Sequence, residues 1–123
     1  KYKLRVYTYY LNNSSDENFW GPIRIKYRDL KDDCLNHIRS TEHHKSKEKQ
    51  GWHFTSMKDE LRRKLTDSYT EDSYATPQVM ANLDENIKQN RDFLGRNFTY
   101  KVDESEWPQW LKDNRQKFLH LLK

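Results

Sequence analysis

The first ten residues alternate strictly, with Tyr2, Leu4, Val6, Thr8 and Tyr10 on one side and Lys1, Lys3, Arg5, Tyr7 and Tyr9 on the other. Successive side chains on a strand point to opposite faces, so this pattern predicts a β-strand with one face buried. After a polar stretch over 12–18 the alternation resumes at Ile23, Ile25 and Tyr27, with Arg24, Lys26 and Arg28 opposite. The two segments read as a hairpin whose long loop closes at Gly21-Pro22.

Helical spacing follows. Leu30, Cys34 and Ile38 recur every four residues and predict a short helix over 29–40. Residues 41–51 contain no apolar side chain and are expected to form an exposed, mobile loop. Ser56-x-x-Asp59 has the form of a capping box, ahead of Met57, Leu61 and Leu65 on one face of a helix over 56–66. A polar linker over 67–76 leads to the best-signposted element. Thr76 is a candidate N-cap, Pro77 suits a first helical turn and Gly95 suits a terminator, with Val79, Met80, Leu83, Ile87 and Leu94 at helical spacing between them. Phe98, Tyr100 and Val102 alternate as a third strand able to join the hairpin. Ser105 then opens a last helix carrying Trp107, Trp110, Leu111 and Phe118. The expected fold is α+β, in the order β-β-α-α-α-β-α. It has a small, mostly antiparallel sheet with about four helices packed on one face.

The chain has 123 residues, which suits one domain spanning 1–123. It begins without Met and ends inside an apolar helical pattern, as expected of a piece of something longer. Only 33% of residues are apolar, but 14% are aromatic, so a small core built from large rings is expected rather than disorder. No apolar run approaches the roughly 18 residues that span a bilayer, and no membrane partner is expected. Cys34 is the sole cysteine, which rules out an intrachain disulfide and points to a reducing compartment, cytoplasmic or nuclear.

The net charge is +4, unevenly spread. Residues 1–66 hold 15 Lys/Arg against 9 Asp/Glu, while residues 67–123 hold 8 against 10. A basic half argues for an anionic partner. On the expected hairpin, Lys3, Arg5, Arg24 and Lys26 would meet phosphates while Tyr7 and Tyr9 stack on bases. Arg62, Arg63 and Lys64 would form an auxiliary patch, and Lys45, Lys47 and Lys49 could extend the field. The leading expectation is therefore a non-enzymatic nucleic-acid-binding domain, for DNA or RNA. The competing reading makes these residues an ordinary solvated face.

Cys34, His37, His43, His44 and His53 gather potential zinc ligands, but their spacing matches no standard zinc motif, and no metal or cofactor is expected. The chain has three glycines and shows no phosphate-cradling loop, no Gly-x-Ser-x-Gly and no His-Glu-x-x-His, so no catalytic residue is assigned. Trp110 and Phe118 fit a core stripe. Trp20 and Trp52 fit none, and suggest the alternative function: a protein-interaction module or small inhibitor docking through these tryptophans and the acidic C-terminal half.

Overall fold

A computed structural model describes residues 1–30, 35–41, 44–68 and 73–123. The chain is α+β, with strand β1 (Lys3–Tyr9) where the alternation predicts it. Its antiparallel partner is not the 23–27 segment but β2 (Asn13–Trp20), which reads as a polar loop. Residues 21–26 are irregular, and Tyr27–Asp29 form a single 3-10 turn.

Strand propensity misleads here because β2 is a central strand. It pairs with β1 on one side and antiparallel with β4 (Tyr100–Val102) on the other, so ladder hydrogen bonds on two edges override weak side-chain preference. Asn13 is fully buried and satisfied: its amide donates to the Thr8 carbonyl at 2.9 Å and to Asn90 Oδ1 at 2.8 Å. Short polar side chains suit this crowded centre, where Ser14 and Ser15 are also buried.

β3 (Lys49–Met57) begins inside the stretch expected to be a loop and lies parallel to β1. The sheet order is β3-β1-β2-β4, so the sheet is mixed and four-stranded, not a mostly antiparallel three-stranded one. A parallel neighbour needs a long crossover, and residues 21–48 supply it, including α1 (Leu35–Ser40). Part of the helix expected over 29–40 lies outside the described residues.

α2 (Lys58–Ser68) and α3 (Pro77–Lys88) form where the spacing predicts. Thr76 caps α3, its hydroxyl accepting from the Val79 amide at 3.2 Å. Two other terminal signals are corrected. Ser56 is not an N-cap: it has φ 51° and ends β3 with Met57. Gly95 does not end α3, which stops at Lys88 and turns through Asn90 at φ 58°. Ser105 likewise bonds Asp103, and the last helix starts later, as α4 (Gln109–Asp113) followed by a 3-10 run, Arg115–Leu121. The described order is thus β-β-α-β-α-α-β-α.

Both faces of the sheet are covered, not one. Tyr9 packs with Leu61, Leu65, Leu83 and Phe93 under α2 and α3. Tyr7 packs with Trp107 and Leu111 of the C-terminal segment and stacks on Phe54 at 5.1 Å. A register shift between Thr8 and Tyr9, together with φ 69° at Tyr9, accounts for two alternate tyrosines reaching different cores. The C-terminal segment is tied down where the Trp107 indole N–H donates to the Leu11 carbonyl at 2.8 Å. Trp107, not the exposed Trp110, is the buried tryptophan of that segment. No helix among the described residues is long and apolar enough to cross a membrane.

Candidate anion-binding surface

The expected hairpin face does not form. Tyr7 and Tyr9 are each 1% exposed, and burial pushes the Tyr7 phenol up to about 12 and Tyr9 still higher. Neither ring has a surface on which a base could stack. Arg5 bonds Glu106 at 2.8 Å, donates to the Lys49 carbonyl at 3.0 Å and lies over the Trp52 ring, so it is spent internally. Lys3 sits 5.4 Å from the centre of the Trp20 ring, as does Lys45.

The α2 patch is also committed to local partners. Arg62 pairs with Asp84 at 3.0 Å, Arg63 with Glu60 at 2.6 Å, and Lys64 donates to Thr55 Oγ1 at 3.2 Å.

Arg24 and Lys26 differ. Both are exposed, and among the described residues neither has a carboxylate within ion-pair distance. They line an open groove of about 620 Å³ with Lys1, His44 and Lys47, in which Glu48 is the one carboxylate among the described lining residues. Three chain segments meet there, and main-chain bonds hold them together. The Tyr2 amide donates to the Pro22 carbonyl at 2.9 Å and the Ser46 amide to the Lys1 carbonyl at 2.9 Å. Ser46 Oγ accepts from the Lys3 amide at 2.7 Å, locking the approach to β3 against β1. Tyr27, 90% exposed, follows just beyond Lys26. The groove is a fixed cluster of cations with little to neutralise it, the arrangement that concentrates a polyanion.

The tryptophans also separate. Trp20 is half-buried, donates to the Ser46 carbonyl and is flanked by two ammonium groups, so it offers no apolar anchor. Trp52 is 42% exposed on the edge strand and donates to the Glu106 carbonyl at 2.6 Å. Of the histidine cluster, Cys34 and His43 lie outside the described residues. His37 and His44 are exposed, while His53 stacks on Phe19 at 4.4 Å. No group of three metal-ligating side chains converges among the described residues.

Sequence reasoning passed over one polar network. Asp92 is 2% exposed and accepts from Arg96 Nε at 3.0 Å, Arg96 Nη2 at 2.7 Å, the Tyr100 hydroxyl at 3.0 Å and the Leu94 and Arg96 amides. Desolvation pushes its pKa up, but the bonds from Arg96 and Tyr100 outweigh that and hold it below the usual carboxylate value. The Asp92-x-x-x-Arg96 spacing gave no dependable signal for it, since i,i+4 pairing is a helix rule and both residues lie beyond the end of α3 at Lys88. No family model, curated protein or solved structure matches this chain.

Proposed function

We propose that this chain is a non-enzymatic nucleic-acid-binding domain whose contact surface is the basic groove rather than a hairpin face. Arg24 and Lys26 are retained from the expected set and Lys47 from its expected extension, Lys1 joins them, and Lys3, Arg5, Tyr7, Tyr9 and the α2 cations leave it. The observation that carries this reading is the convergence of Arg24, Lys26, Lys1 and Lys47 on one open groove holding a single carboxylate among its described lining residues. Cations without internal partners give up only water and counterions when they meet phosphate, whereas a paired arginine must first break its own bond. The alternative, a protein-docking module, keeps Trp52 as its one exposed anchor from the original pair.

The test is binding to duplex DNA, single-stranded DNA and RNA at two salt concentrations. About four phosphate contacts imply roughly a hundredfold weaker binding to duplex DNA between about 50 and about 200 mM salt. Arg24→Ala/Lys26→Ala should weaken binding at least about tenfold and flatten the salt slope. Binding that ignores salt, that survives the double variant, or that is absent for all three polymers at low salt would overturn the proposal.

A further inference from the structure

A second cavity, of about 260 Å³, lies under α2 and the segment after α3 and shares no described lining residue with the basic groove. It falls below the roughly 300 Å³ at which pockets for drug-sized ligands begin, so it has room for one small ring system. Phe19 and His53 form part of its wall, with ring planes 15° apart. Phe93 and Leu94 add apolar surface. Burial, aided by the nearby Lys64 charge, pulls the His53 pKa below its ordinary value, which favours the neutral imidazole in this stack.

One carboxylate on the cavity has no hydrogen-bond donor from the described residues and keeps its oxygens open to solvent. The Glu17 side chain is only 22% exposed, and its closest described ion-pair partner is Arg96 Nη1 at 3.9 Å, beyond hydrogen-bond reach. That guanidinium instead directs its Nε and Nη2 bonds to Asp92. Among the described residues no donor hydrogen-bonds the Glu17 carboxylate, and burial raises its pKa despite the opposing pull of Arg96. A partly desolvated carboxylate with no protein donor is free to accept hydrogen bonds from a ligand, which would exchange only water for them.

We propose that this cavity binds a planar heterocycle presenting two adjacent N–H donors, the edge of a guanine-type base, with Glu17 accepting both donors and the Phe19/His53 stack receiving the ring. Two parallel N–H groups match the two oxygens of a carboxylate, and bidentate bonds to an ionised acceptor are strong and directional. Stacking on the aromatic wall supplies affinity with little base discrimination, so Glu17 supplies the choice. The base could arrive as a free nucleoside or as an unpaired residue of a strand. The site does not depend on the basic groove.

The experiment titrates the folded protein with guanosine, inosine and uridine, followed by NMR. Inosine lacks the second donor, and uridine presents one N–H between two acceptors. Guanosine should bind at least about tenfold more tightly than either. Glu17→Gln should erase that preference while the circular dichroism spectrum stays unchanged, and Phe19→Leu should weaken guanosine and inosine alike. Arg24→Ala/Lys26→Ala should leave guanosine affinity unchanged, which separates failure of the groove from failure of this site. A uridine oligonucleotide carrying one guanine then distinguishes the source: binding sensitive to Glu17→Gln places the base in a strand, and insensitivity with guanosine binding intact places it in a free nucleoside. Equal affinity for guanosine and inosine, affinity unaffected by Glu17→Gln, or no guanosine binding up to its solubility limit would overturn the proposal.

Discussion

The basic groove and the outer face of α2 both carry clustered cations, yet among the described residues Arg24 and Lys26 of the groove have no carboxylate partner while Arg62 and Arg63 of α2 do. On α2, each arginine sits within one or two turns of a carboxylate, or faces one on α3: Arg63 has Glu60 and Asp67 on its own helix, and Arg62 has Asp84 across the helix pair. In the groove, Arg24 and Lys26 come from a segment without regular structure, and the charged side chains lining it with them are Lys1, Lys47 and a single carboxylate, Glu48. A run of positive residues measures charge density, whereas a binding field depends on which carboxylates the fold brings alongside.

If α2 serves the core rather than a polyanion, its inner face should matter most. Leu65 is 0% exposed within the cluster that holds Tyr9, so Leu65→Ala should cost about 3 kcal/mol in urea unfolding, through lost burial and the cavity left behind. The next largest effect should come from Asp92, which is 2% exposed and accepts from Arg96 and Tyr100. Asp92→Asn should cost about 2 kcal/mol, less than a fully buried pair because Arg96 is 44% exposed.

The pH dependence has a definite sign. A carboxyl whose folded pKa is lowered contributes stability above its unfolded value of about 4 and loses it as pH falls through the folded value, so the wild type should weaken on acidification. The Asn variant should show a shallower acid limb in unfolding curves taken across that range. The smallest effect belongs to the outer face: Arg62→Ala should change stability by less than about 1 kcal/mol, since its pair with Asp84 is solvent-exposed. A loss from Arg62→Ala comparable to that from Leu65→Ala would erase the contrast between the two regions, and so would a nucleic-acid affinity that depends on Arg62 as strongly as on Arg24.

Several elements were legible in the residues because their signals are local. Thr76-Pro77 fixes the start of α3 through a hydroxyl cap and a preset φ, and Leu61 and Leu65 mark the inner face of α2. β1 was legible in its alternation, although one consequence drawn from it failed. Period two places Tyr7 and Tyr9 on one face, but the shift at Thr8 and the left-handed Tyr9 send them into two cores. β2 and β3 were illegible for another reason. Asn13, Ser14 and Ser15 have poor strand propensity, and their extended state comes from partners remote in sequence, Val102, Lys101 and Tyr100 among them.

The candidate sites divide the same way. Arg24 and Lys26 could be picked out as cations, but Lys1 and Lys47 become their neighbours only because Ser46 is stitched to the start of β1. Nothing near Glu17 in the chain pointed to a cavity, since its wall gathers Phe19, His53 and Phe93 from three separate segments.

The order of residues by itself determined the helices α2 and α3, the first strand, the ring-rich core and the basic bias of the N-terminal half, because capping, periodicity and composition act over a few neighbouring positions. Tertiary structure alone decided the mixed sheet, the covering of both its faces and which charges remain available. Strand pairing and ion pairing are made between distant segments, and their free energy depends on what the completed fold places opposite each group.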